Sequence, residues 1–391
     1  MIYDFDHCPN RRASDSIKWN AYDEDVLPLW VADMDFVSPE AVQRALQERV
    51  AHGVFGYPAS VFPLPHKPLP LMELIAAWAA SHYGWHVRPD EIVLIPGVVT
   101  GLNLACHAFG GENGSVIVQP PIYPPFLAAP HNAGLTRLDN CLTRSPDGAY
   151  EIDFDAFEAN LRPDTRLFLF CNPHNPSGRV FRLPELSRLA EICLRHHILI
   201  CSDEIHCDLV FAGHRHIPIA SLDAEIAQRS VTLLAPSKTF NIAGLECSAA
   251  IIPNAELRQQ YTHAHKGLVG WVNLMGMTAA EAAYRAGQEW LEQVLRYLQA
   301  NRDFLYEYVT AELPGVTMTL PEGTYLAWLD CRASRVAAHP QAAFLEQGRV
   351  ALNDGNNFGP GGQGFVRLNF GCPRATLVEA LRRMKAVLSA A

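Results

Sequence analysis

The sequence predicts an α/β protein with a large domain built on a mostly parallel, seven-stranded sheet between helices, and a smaller α+β domain. Seven short apolar runs alternate with longer segments of helical periodicity, and most of the runs end at Gly, Pro, Asp or Asn. The alternation stops after about residue 280. The 391 residues, 49% of them hydrophobic, suffice for two domains of roughly 150 residues or more.

The first forty or so residues carry no strand–helix alternation and are expected to pack on the C-terminal part. Tyr57–Pro70 holds five prolines, at 58, 63, 65, 68 and 70. That density blocks helix and central strand and predicts an ordered or semi-extended surface loop. The seven strand candidates are Ile92–Ile95, Val116–Gln119, Leu135–Leu138, Leu167–Phe170, Ile198–Cys201, Val231–Ala235 and Ala249–Ile252. Between them lie segments such as Leu183–His196, where Leu183, Leu186, Leu189, Ala190 and Cys193 form one stripe. Ala279–Leu313 reads as one long helix, with Leu291, Val294, Leu295, Leu298 and Leu305 at helical spacing and Pro314-Gly315 as its stop. Two strand-like pieces, Tyr325–Leu329 and Phe365–Phe370, and a final amphipathic helix, Ala375–Leu388, complete the chain. The expected division is residues 46–285 for the large domain and 1–45 with 286–391 for the small one.

A formal charge of -10 with no basic footprint argues against a nucleic-acid partner. The N-terminus has acidic residues and no apolar signal core, and no stretch approaches the ~20 apolar residues of a membrane span. The ten cysteines are irregularly spaced with no CxxC. Cys171, Cys193, Cys201 and Cys247 fall in apolar, strand-like runs, where cysteine acts as a small buried hydrophobe. Reduced thiols in a cytoplasmic protein are the expectation. His196-His197, His214-x-His216 and His263-x-His265 lack a Cys or carboxylate at ligand spacing, so they read as surface or helix-end histidines and no metal site is expected.

Four elements carry chemistry. Ala-Pro-Ser-Lys-Thr-Phe-Asn (235–241) follows the run Val231–Ala235 and puts Lys238 just past a strand, where open α/β sheets bind ligands. A solvated loop lysine fits that position alone as well. Asp203 ends another run and can hold a proton on a heterocyclic nitrogen or serve as a helix N-cap. Asn172-Pro173-His174-Asn175-Pro176-Ser177-Gly178 is a rigid loop that presents an amide or simply turns the chain. Pro96-Gly97-Val98-Val99-Thr100-Gly101 opens a helix, whose backbone N–H groups suit a phosphate.

These elements occur in the order and local contexts found in fold type I pyridoxal phosphate (PLP) enzymes, and the chain resembles that superfamily over nearly its whole length. The stretches LPLWVADMDF (27–36), FGYP (55–58), VQPPIYPPF (118–126), NPHNPSGRV (172–180), SDEIHCDLVF (202–211), SKTFNIAGL (237–245), EGTYLAWLDCR (322–332), ALNDG (351–355) and VRLNFGCPR (366–374) resemble the cystathionine β-lyase (C–S lyase) branch of the class I/II aminotransferases, the MalY/PatB type.

The resemblance implies the PLP-dependent transferase fold and PLP as cofactor. Lys238 would join the cofactor's aldehyde and later act as base at the substrate Cα. Asp203 would pair with the ring nitrogen, Asn175 and His206 would face the ring's phenolate oxygen, and Tyr123 would stack on the ring. Backbone groups of Val98 and Val99, with the Ser237 hydroxyl, would hold the phosphate, helped by Tyr57 from a neighbouring subunit in a homodimer. Arg367 would grip the carboxylate of an amino-acid substrate, with Ala32 and Asn353 beside it.

Two departures stand out. Many relatives carry Lys or Arg eight residues after the lysine, where this chain has Glu246, and Ser or Thr three residues before it, where this chain has Ala235. Glu246 is expected to turn away, and PLP to be held more loosely than usual. The implied reaction is β-elimination of a thiol from cystathionine or a related cysteine S-conjugate. Transamination is the alternative. A regulatory binding role is a third reading, in which no helix-turn-helix extension offers direct control of DNA.

Overall fold

The computed structural model describes residues 2–58 and 69–390, so most of the proline-rich segment lies outside the described residues. After helix α1 (Glu40–His52), Pro70 itself starts helix α2 (Pro70–Tyr83), at the first-turn position where its missing N–H costs nothing.

All seven expected strands join one sheet. They are β1 (Ile92–Ile95), β2 (Ser115–Val118), β3 (Thr136–Asp139), β4 (Thr165–Cys171), β5 (Leu199–Asp203), β6 (Ser230–Leu234) and β7 (Ser248–Ile251), in the spatial order β1-β7-β6-β5-β4-β2-β3. Every pairing is parallel except those of β7, which runs antiparallel to β1 and β6. The central strands are largely apolar because both faces are covered, whereas the edge strand β3, Thr-Arg-Leu-Asp, is largely open to solvent. Along β4, Leu167, Leu169 and Cys171 enter one core while Phe168 and Phe170 enter the other. Helix α3 (Val98–Phe109) covers the first face with Leu102, Ala105 and Phe109. Helix α4 (Leu183–Arg195) covers the second with Leu186, Leu189, Ala190 and Cys193. Cys193 is therefore a helical core residue rather than a strand residue.

The C-terminal part has its own antiparallel sheet of β8 (Thr317–Met318), β9 (Leu326–Asp330), β10 (Asn353–Asp354) and β11 (Phe365–Asn369), in the order β8-β9-β11-β10. The last helix, Arg374–Ser389, packs its Leu377, Leu381 and Met384 into the core. The N-terminal segment joins this part. Leu27–Pro28 pairs in parallel with Val350–Ala351, and Asn369 Nδ2 donates to the carbonyls of Val31 and Asp33.

One expectation is corrected. Ala279–Leu313 is two helices, Leu274–Ala286 and Gln288–Glu312, meeting at Gly287. A Cβ at Gly287 would lie 2.4 Å from Cε1 of Phe240. Only glycine leaves room for that ring where the two helices meet. Among the described residues no helix is long and apolar enough to cross a membrane.

Candidate active site

Parallel strands bring their C-terminal ends to one edge, and the chemistry gathers there. Asp203 closes β5 and is in register with Leu233 of the adjacent β6. Lys238 follows β6 on a single helical turn, α5 (Pro236–Thr239). Cys171 at the end of β4 leads into the Asn172–Gly178 loop. The end of β1 leads through Gly97 (φ 97°, ψ 145°) into α3. Because β7 is antiparallel, its entry rather than its exit lies at this edge, which brings Glu246, Cys247 and Ser248 in as well.

Together these ends enclose a cavity of about 260 Å³. Of the expected site residues, Ala32, Val98, Val99, Tyr123, Asn175, Asp203, His206, Ser237 and Lys238 line it. Arg367 stands behind Asn175. It donates to Asn175 Oδ1 (3.0 Å), Asn353 Oδ1 (2.7 Å) and the Trp30 carbonyl (2.9 Å), leaving its Nε without a partner. Tyr57 is set apart. It is 82% exposed, in an edge-on ring contact with Trp271, and does not line its own chain's cavity.

Electrostatics distinguish these groups. Asp203 is buried and accepts one hydrogen bond, from the Ile205 N–H at 3.0 Å. With no cation within 4 Å among the described residues, burial pushes its carboxyl up to about 7. Burial also pushes the Lys238 amine down to about 8, while its Nζ donates to the Ala32 carbonyl at 2.7 Å. Burial, with help from Lys238 and Arg367, lowers His206 to about 3 and keeps its imidazole neutral; its Nδ1 has no partner. Arg367 is 3% exposed and brought down to about 10 by burial. No carboxylate of the described residues pairs with it.

These loose ends fit PLP and an amino acid. A buried carboxylate without a cation suits a protonated ring nitrogen. With Asn175 Oδ1 occupied by Arg367, the amide's N–H₂ is left to donate. The first N–H groups of α3 and the Ser237 hydroxyl suit a phosphate. A buried guanidinium without a counter-ion suits a substrate carboxylate.

The aminotransferase class I and II family model matches residues 24–384. The chain belongs to that family. It is similar over 98% of its length, at 44% identity, to cystathionine beta-lyase PatB of Bacillus subtilis (strain 168), covering 100% of that protein. The crystal structure of OvoB superposes with a TM-score of 0.93 at 44% identity, with 100% of both chains covered. The PLP-bound C-S lyase from Staphylococcus hominis superposes with a TM-score of 0.89 at 30% identity, covering 100% of this chain and 99% of that one.

In this member of the family several residues at the site were not evident from the sequence. Thr100, Ile205 and Ser248 lie on the cavity wall. Tyr325 donates to the Ala32 carbonyl at 2.8 Å, the same oxygen that receives Lys238. Tyr325 stands within the stretch EGTYLAWLDCR, but nothing local signals a partner 293 positions away. Glu246, expected to turn away, stands on the cavity wall, and its side chain has no hydrogen-bond or ion-pair partner among the described residues. Ala235 caps α5 without a side-chain hydrogen bond. One histidine is corrected: His216 is buried, not superficial, with Nε2 2.7 Å from the buried Glu204 carboxylate. His196 and the pair His263 and His265 do lie at helix ends. Among the described residues no group of three His, Cys, Asp or Glu side chains could hold a metal ion.

Proposed function

We propose that this chain is a PLP-dependent carbon–sulfur β-lyase acting on cystathionine or related L-cysteine S-conjugates, releasing a thiol, pyruvate and ammonia. The observation that carries this reading is the juxtaposition of Lys238 and Asp203 at adjacent strand ends on one cavity, with the unpaired Arg367 guanidinium behind it. The names of PatB and of the Staphylococcus hominis lyase support the lyase branch.

When bound, PLP supplies a protonated ring that draws electron density away from the substrate Cα. Asp203 holds that ring proton in place. Tyr123 would cover the ring face, and Asn175 with the neutral His206 would attend the phenolate oxygen. The N–H groups of Val98 and Val99 and the Ser237 hydroxyl would anchor the phosphate. Arg367 and Asn353, with the peptide of Ala32, orient the substrate carboxylate. Lys238, with its amine lowered to about 8, is neutral often enough near neutral pH to take the Cα proton. The electron pair left at Cα expels a thiolate from Cβ. The three-carbon enamine then hydrolyses to pyruvate and ammonia.

A cytoplasmic homodimer belongs to the same reading, with Tyr57 reaching the neighbouring subunit's phosphate. Its exposure and its place off the wall of its own chain's cavity support this. Ten free cysteines, most of them buried, support a reducing compartment. The division into residues 46–285 and 1–45 with 286–391 is supported by the two separate sheets.

The test is cystathionine supplied without any keto acid. Repeated release of thiol and pyruvate is the expected result. Turnover that begins only after a keto-acid acceptor is added would replace this reading with transamination.

A further inference from the structure

Lys238 rides on a turn of only four residues, Pro236–Thr239. So short a helix has little hold on its own direction, and its N-cap, Ala235, offers no side-chain bond. The backbone closes it with Phe240 N–H to the Pro236 carbonyl (2.9 Å) and Ile242 N–H to the Ser237 carbonyl (3.0 Å). The residue after the lysine adds the missing anchor. Thr239 is fully buried, and its Oγ1 donates to Asp208 Oδ2 at 2.7 Å.

Asp208 is an unusual acceptor. Its Oδ1 takes hydrogen bonds from Trp78 Nε1 (2.9 Å) and from the Tyr83 hydroxyl, and no cation pairs with it among the described residues. Three uncharged donors from two other elements therefore fix this carboxylate, two of them on helix α2 (Pro70–Tyr83). Asp208 also lies five residues beyond Asp203, on a turn closed by Cys207 N–H to the Glu204 carbonyl and Leu209 N–H to the His206 carbonyl, both 2.9 Å. One compact turn thus holds the cavity's carboxylate at one end and the tether of the lysine's turn at the other.

We propose that the Thr239–Asp208 hydrogen bond sets the position of Lys238 relative to Asp203, making Thr239 and Asp208 positioning residues for the amine. This rests on the reading of Lys238 as the cofactor-bound amine. A general fold role does not account for the placement: α5 is tied at its last residue, next to the amine, and to the same turn that presents Asp203. Misplacing a reacting group by an ångström or less lowers rate far more than it lowers affinity.

The test uses the holoenzyme with Thr239→Val and Thr239→Ser. The readouts are kcat and KM for thiol release, the pH titration of the lysine-bound cofactor's absorbance, and the melting temperature. Thr239→Val should lower kcat by about tenfold with little change in KM, and should move the midpoint of the absorbance titration. Thr239→Ser, which keeps the hydroxyl, should restore both. If Thr239→Val changes only the melting temperature and leaves titration and kcat as in the parent, the bond is merely structural and the proposal falls. Borohydride labelling of the parent separates the two ideas. A label on Lys238 together with an unmoved titration overturns the positioning role alone, whereas a label elsewhere overturns the reading beneath it.

Discussion

Burial acts with opposite consequences on two titratable groups of the cavity wall, Asp203 and Lys238. It raises Asp203 to about 7 and lowers Lys238 to about 8, so each is disposed to share its charge with a bound ligand rather than with the protein. For Asp203 the sign is definite in the apoprotein. Below pH of about 4 its carboxyl is protonated whether the chain is folded or not. From there to about 7 the folded chain keeps the proton that the unfolded chain has lost, so stability falls as pH rises, and above 7 the penalty is constant. Asp203→Asn should therefore raise the apoprotein's melting temperature most at pH 8, with the gain shrinking toward pH 4. A gain independent of pH would contradict this. Glu246 makes a second case at this scale. An unpaired carboxylate on the wall that also carries the phosphate-binding groups repels a phosphate dianion. Glu246→Lys should tighten PLP by about tenfold in apoenzyme titrations, about 1.4 kcal/mol; unchanged affinity would show that Glu246 does not weaken the hold on the phosphate.

At the scale of elements, the site depends on a few backbone positions. Gly97 joins β1 to α3 at φ 97° and ψ 145°, a region that side chains other than glycine's hardly enter. Gly97→Ala should cost roughly 1–3 kcal/mol in urea unfolding of the apoprotein and speed PLP loss on dialysis. Stability and retention equal to the parent would remove the strained turn from the account. The same elements show what the sequence reveals. The central strands were legible because buried parallel strands are largely apolar runs, such as Val231–Ala235. The antiparallel sense of β7 was not, since direction leaves no trace in a run, and with it went the reason Glu246 and Ser248 reach the cavity. Strands of two residues, Thr317–Met318 and Asn353–Asp354, are shorter than any period. The break at Gly287 was hidden because glycine is tolerated inside a helix, and what forbids a longer side chain there is Phe240, distant in sequence.

On the scale of the whole molecule, the site is drawn from the full length of the chain. Segment 30–36 borders the cavity at Ala32, with its carbonyls taken up by side chains from both parts. Arg367 bonds Trp30, Asn369 bonds Val31 and Asp33, Lys238 and Tyr325 bond Ala32, and Asn241 bonds Met34 and Phe36. Motif residues such as Lys238, Asp203 and Asn175 were legible because each follows a strand. Tyr325, Thr239 and Asp208 were not, because their partners lie far along the sequence. If Tyr57 serves the neighbouring subunit, inactive Lys238→Ala and impaired Tyr57→Ala chains should regain activity when mixed and refolded together, since the mixed dimer holds one intact site. Activity that stays at the level of the separate variants would place Tyr57 outside catalysis or within its own subunit. The claim beneath all of this is tested most directly by reducing the holoenzyme with borohydride and mapping the labelled peptide by mass spectrometry. The account predicts the pyridoxyl mass on Lys238, in the peptide that carries Ser237 and Thr239. A label on another lysine, or none on a protein saturated with PLP, would contradict it.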